Sequence, residues 1–86
     1  MKNYDKTIHC KAGTVELNRQ EAQEIYEGQK YVVTSTAIWQ PFYSQAQDRY
    51  YFQRIVDYKG IARRGRFYVM TAQEINSCIG QEILIV

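Results

Sequence analysis

The stretches Val15-Glu16-Leu17-Asn18-Arg19-Gln20-Glu21 and Tyr68-Val69-Met70-Thr71-Ala72-Gln73-Glu74 decide the fold of this chain. Each runs from a short apolar segment into Asn or Thr, with Glu three residues later. In that spacing the Asn or Thr side chain accepts from a backbone N–H of the first helical turn, and the Glu reaches back to the cap's own N–H. Both stretches therefore read as a strand turning into a helix. Met70 and Ile75 take the hydrophobic-staple positions around the second start. Gly28 and Gly80 stand where a left-handed residue closes each helix, which limits both to roughly two to three turns. Ala22, Ile25 and Tyr26 fall on one face of the first helix, and Ile75, Cys78 and Ile79 on one face of the second.

After each helix, Gly-Gln leads into another strand-like run, Lys30-Tyr31-Val32-Val33 and then Glu82-Ile83-Leu84-Ile85. Strand, capped helix, Gly-Gln, strand thus occurs twice, a likeness that shared capping chemistry explains more readily than a true duplication. Between the two units, Lys30 to Trp39 is rich in β-branched and aromatic residues and reads as a strand that ends before Pro41, with Gln40 to Asp48 a loop. Farther on, alternation places Tyr50, Phe52, Val56 and Tyr58 on one face of a strand, interrupted by Arg54, and Arg49, Tyr51, Gln53, Ile55 and Asp57 on the other. Lys59-Gly60 and Arg64-Gly65 are turn signals, which predicts a hairpin returning as Arg66-Phe67-Tyr68-Val69.

The element order is then β-α-β-β-β-α-β, an α+β fold with a small, mainly antiparallel sheet and two short capped helices. A ferredoxin-like open sheet with both helices on one face fits that order, and a small barrel capped by the helices is the competitor. A chain of 86 residues reads as a single domain, 1–86, with one core. Its 45% hydrophobic and 23% charged residues set it apart from disordered chains. At this size a homodimer interface would add useful burial. Met1-Lys2-Asn3-Tyr4-Asp5-Lys6 leads into no apolar stretch of signal-peptide type, and no run is long enough to span a bilayer, so a cytoplasmic location without membrane association is expected.

Little in the chain suits catalysis. His9 and Cys10 are neighbours on an expected strand, so their side chains leave on opposite faces. Cys10 and Cys78 form no C-x-x-C pair, and one His with two distant cysteines has no metal-ligand spacing. Gly60 and Gly65 enclose Ile61-Ala62-Arg63-Arg64 but are followed by Arg66-Phe67, not by the Lys-Ser/Thr of a phosphate-binding loop. A non-enzymatic protein with no cofactor and no metal is expected.

The net charge of +2 is too small to mark a nucleic-acid binder by bulk electrostatics. Its distribution is more telling. Four of the nine acids lie between Glu16 and Glu27, whereas Lys59 to Arg66 holds four basic residues and no acid. Arg49, Tyr51, Gln53, Lys59, Arg63, Arg64, Arg66 and Tyr68 are candidate binding residues, because single strands are held by bases stacked on aromatic faces while arginines follow the phosphates. The same residues also suit a strand and a soluble turn with no ligand at all. Trp39, Phe42 and Tyr43, with Pro41 among them at a strand end, form a second candidate patch of the composition found at protein interfaces.

Ile25, Gly28 and Lys30 resemble the I-x-x-G-x-K at the end of the first helix in PUA-like (ASCH) domains, which are associated with RNA. The resemblance covers six residues, and Val33 and Ser35 stand where that family has an acidic and a basic residue, so no family is assigned. In general type the short Tyr-rich chain resembles small phage and mobile-element accessory proteins, including inhibitors of host defence systems. The reading is a small binding domain that contacts nucleic acid, or a complex that handles it, through an aromatic-basic hairpin. The alternative is an accessory protein that inhibits or regulates a host protein by direct contact.

Overall fold

Both capping boxes form. In the computed structural model, which describes residues 10–12, 15–60, 62–63 and 65–80, Asn18 Oδ1 accepts from Glu21 N at 2.8 Å and Glu21 Oε1 accepts from Asn18 N at 2.9 Å. These bonds start α1, Arg19–Glu27. Thr71 and Glu74 exchange the same pair of bonds at 3.2 and 2.8 Å to start α2, Ala72–Ile79. Helix α2 closes on Gly80 in the left-handed conformation, as its sequence predicts.

The end of α1 differs. Gly28 keeps φ −81°, and Gln29 takes the left-handed position at φ 54°. Gln29 N bonds to Tyr26 O at 3.1 Å and Lys30 N to Ile25 O at 3.0 Å, the paired bonds of a Schellman closure with glutamine at the position usually held by glycine. Gly28 packs close to the helix: a Cβ there would stand 3.1 Å from the Glu24 carbonyl, a tight contact.

Strands β1, Cys10–Ala12, and β2, Val15–Leu17, form a separate two-stranded antiparallel ribbon. The main sheet contains β3 (Tyr31–Val33), β4 (Ala37–Ser44), β5 (Arg49–Asp57) and β6 (Tyr68–Met70) in the order β5-β4-β3-β6, antiparallel throughout. Three consecutive strands are followed by a fourth that returns beside the first, which is Greek-key topology.

Three expectations are corrected here. The single strand over Lys30 to Trp39 is two strands, parted by a turn in which Thr34 N bonds to Ala37 O at 2.9 Å. Strand β4 does not stop before Pro41 but runs through it to Ser44, so the loop is confined to 45–48. Proline is tolerated because β3 is short: its pairing with β4 covers Val32 with Trp39 and Val33 with Ile38, leaving β4 with only β5 as partner at Pro41. The predicted hairpin from Tyr50 to Tyr68 is not formed. Its two arms are β5 and β6, on opposite edges of the sheet, and the connection between them crosses three strand spacings, about 14 Å, along one end of the sheet. Gly60 (φ 96°) and Gly65 (φ 79°) serve as bends in this crossover. The expected strand Glu82 to Ile85 lies outside the described residues.

The helices lie on opposite faces of the sheet, unlike the one-face packing of a ferredoxin-like sandwich. On one face Ala22 and Ile25 of α1 join Ala12, Leu17, Val32, Ala37, Trp39 and Phe52. On the other, Ala72 and Ile75 of α2 join Tyr31, Val33 and Ile38, with Val56, Tyr58, Met70 and Ile79 packed around them. Alternation along β3 makes this arrangement necessary, since Tyr31, Val32 and Val33 are all buried and point to alternate sides. A register shift in the β4–β5 ladder sharpens it: Ile38 faces Val56 but Trp39 faces Arg54, so Ile55 is the extra residue of a bulge. The bulge reverses the alternation along β5, moving Val56 to the α2 face while Tyr50, Phe52 and Arg54 stay under α1.

Candidate interaction surface on the hairpin of strands four and five

The long ladder between β4 and β5 pairs Trp39 with Arg54, Pro41 with Phe52 and Tyr43 with Tyr50 on the α1 face. The α2 face of the same ladder carries Ile38 with Val56, Gln40 with Gln53, Phe42 with Tyr51 and Ser44 with Arg49. Helix α2 packs over the Ile38–Val56 row. Among the described residues, no element lies over the three rows beyond it.

On the α1 face the aromatics are structural. Trp39, expected at a surface patch, is 9% exposed and donates its indole N–H to Thr34 Oγ1 at 2.9 Å. The Arg54 guanidinium stands 5.2 Å from the Trp39 ring centre and pairs with Asp57 at 3.5 Å, which explains an arginine in this position. Tyr43 donates its hydroxyl to Asp48 Oδ1, and Arg19 pairs with the same oxygen at 2.8 Å while donating a second bond to the Asp48 carbonyl at 2.7 Å. Asp48 itself is left-handed, φ 52°, where a short polar side chain is tolerated best. Arg19 also lies 5.5 Å over Tyr50, which packs edge-on to Tyr26 of α1 at 5.6 Å. This network fastens the tip of the hairpin to the first turn of α1.

The titration behaviour of that network is equally structural. The hydrogen bond to Asp48 raises the Arg19 pKa, and the hydrogen bond to Asp48 likewise raises that of Tyr43. Burial raises that of Tyr50. Each shift holds its group in the form it already has at neutral pH, so none of the three is activated as a base or nucleophile.

The other face is built differently. Phe42 and Tyr51 stack across the strands, 5.4 Å between ring centres and 21° between planes. Phe42 is 36% exposed, and Tyr51, half-buried, is held by its hydroxyl to the Gln47 side chain in the turn. Gln40, Gln53 and Arg49 are exposed on the flanking rows. Of the residues predicted from sequence, Arg49, Tyr51, Gln53 and Phe42 are therefore brought together. Trp39 and Tyr43 go to the opposite face, because strand alternation through Pro41 separates them from Phe42.

Lys59, Arg63 and Arg66 lie exposed on the crossover, at the other end of the ladder from Arg49. A turn bond from Arg66 N to Arg63 O, 2.9 Å, shapes the segment. Tyr68 faces Val33 at the β6 edge and is 45% exposed. Arg64 lies outside the described residues. Gln40 and Ser44 were missed as surface residues because Pro41 argued for a loop. The alternation of Ile38, Gln40, Phe42 and Ser44 up to the polar turn was the signal that places them.

Among the described residues there is no group of three or more His, Cys, Asp or Glu side chains placed to hold a metal ion, and no helix is long and apolar enough to cross a membrane. No family model, curated protein or solved structure matches the chain.

Proposed function

We propose that this protein is a non-enzymatic nucleic-acid-binding domain that uses the uncovered face of the β4–β5 hairpin together with the crossover after it. The observation that carries the reading is the charge of that region. Residues 49–66 hold six Lys or Arg (49, 54, 59, 63, 64 and 66) against the single acid Asp57, a net of 6 − 1 = +5 in a chain whose total is +2. Helix α1, on the opposite face, carries three glutamates against one arginine. An anionic polymer is thus drawn to β5 and the crossover and away from α1. The Phe42–Tyr51 stack supplies an aromatic surface on the hairpin, and Lys59, Arg63 and Arg66 supply exposed cations at the far end of the ladder.

Measured by fluorescence anisotropy with short single-stranded oligonucleotides, affinity should fall steeply with salt. Replacing Lys59, Arg63 and Arg66 by Ala should reduce the log–log slope by about 2, from about 0.7 per phosphate contact on a single strand. An unchanged slope in the triple variant counts against the reading.

A second reading, a protein partner docked on the same face, is favoured by its central rows alone. Gln40, Gln53, Phe42 and Tyr51 are uncharged, and Ile55 at the bulge is 38% exposed. Under that reading, binding to a host protein would survive in the triple variant and be lost with Phe42→Ala.

A further inference from the structure

The uncovered rows of the hairpin carry three different chemistries in a fixed order, and the order matches the parts of one nucleotide. From the turn inward, the cross-strand pairs are Ser44 with Arg49, Phe42 with Tyr51, and Gln40 with Gln53. Successive pairs on one face of a ladder stand about 7 Å apart, two residues at about 3.4 Å each. A hydroxyl and a guanidinium suit a phosphate, a pair of aromatic rings suits the flat of a base, and a pair of carboxamides suits a base edge. Because a nucleotide's phosphate and the Watson–Crick edge of its base lie at opposite ends, one nucleotide laid along the ladder meets all three rows. The next row, Ile38 with Val56, lies beneath α2, which closes the ladder on that side.

Resting on the nucleic-acid reading, we infer that the hairpin holds one unpaired nucleotide. The base lies on the exposed side of the Phe42–Tyr51 stack, with its phosphate at Arg49 and Ser44. Gln40 and Gln53 face its edge. A carboxamide both gives an N–H and accepts at its oxygen, so either glutamine can pair with the Watson–Crick edge of an unpaired base. A paired base is shielded on both faces by its neighbours, so the site requires a single strand. The two rings already stack on one another in the absence of a ligand.

The test uses fluorescence anisotropy with labelled single-stranded homopolymers of adenine, cytosine and thymine, and a duplex of the same length, at one salt concentration. The wild-type protein is expected to bind each single strand more tightly than the duplex. Phe42→Leu and Tyr51→Leu keep apolar side chains in the strands and should each weaken single-strand binding about tenfold, within the span of base–aromatic stacking. Gln40→Ala and Gln53→Ala, both at exposed positions, should weaken single-strand binding without altering the salt slope. Folding of every variant is read by circular dichroism. If single strands bind with the expected salt slope but the leucine and alanine variants match wild type, or the duplex binds equally well, the single-nucleotide site is overturned while the nucleic-acid reading stands. If no oligonucleotide binds even at low salt, both fall.

Discussion

Trp39→Phe separates the two roles that the sequence allows for the tryptophan. In the structure the indole is buried against Val32 and Phe52 and bonded to Thr34, so its replacement should cost stability and leave binding intact. The loss can be summed. The N–H···O bond contributes about 1 kcal/mol net. Shrinking the indole to a phenyl ring withdraws roughly 40 Å² of apolar contact, about 1 kcal/mol at 25 cal/mol per Å². The weaker face offered to Arg54 adds about 0.5 kcal/mol or less. The total is about 2 kcal/mol. Against a whole-domain stability of roughly 4–13 kcal/mol for 86 residues, this is a large share. Trp39→Ala, at about 3–5 kcal/mol, would cost more still and unfold a domain at the low end of that stability range. Because Trp39 is the only tryptophan, urea unfolding must be followed by circular dichroism and not by fluorescence. With a slope on the order of 1 kcal/mol/M, the midpoint should drop by about 2 M. A drop below about 0.5 M, together with loss of binding, would return Trp39 to the surface and refute its assignment to the core.

Two further outcomes follow from the helix ends. Gln29→Gly should stabilise the protein by about 0.5–1 kcal/mol, since the left-handed conformation penalises a side chain by about 1–2 kcal/mol and glycine returns part of that gain as unfolded-state entropy; calorimetry showing a lower Tm would refute the strain. Glu74 has a lowered pKa, held down by the backbone N–H of Thr71 and then by its side chain. The unfolded state therefore takes up this proton first as the pH falls. The stabilisation is present above the unfolded carboxylate pKa and is lost as the pH drops through the folded value. Glu74→Gln, which keeps the capping bond without the titration, should flatten the loss of stability between about pH 5 and pH 3; an unchanged acid limb would show that other carboxylates dominate it.

The helices were legible because capping chemistry is local. Asn18 with Glu21 and Thr71 with Glu74 specify their starts within four residues, and no tertiary contact competes. The sheet was legible only in part. Whether Pro41 ends a strand depends on how far the neighbouring strand reaches, a property of Tyr31–Val33 that nothing near Pro41 encodes. Turn residues at Gly60 and Gly65 signal a change of direction, yet they are equally compatible with a tight hairpin and with a crossover. The choice was made by the apolar run Tyr31-Val32-Val33, which takes β6 as its second partner. The candidate surface followed the same rule. Tyr51, Gln53 and Arg49 share a face by simple alternation. The separation of Trp39 and Tyr43 from Phe42, by contrast, required knowing that the strand continues.

The bulge at Ile55 has a consequence for how the molecule comes apart. By sending Phe52 to one side and Val56 to the other, it makes β5, like β3 and β4, a wall common to two half-cores that share no side chain. Neither half can lose its strands without exposing the other. Unfolding that begins at α2 would strip one side of the wall bare, and a partially opened state would present Tyr31, Val33 and Ile38 to water at once. The thinness of a three-layer protein of this length is thereby turned into all-or-none behaviour.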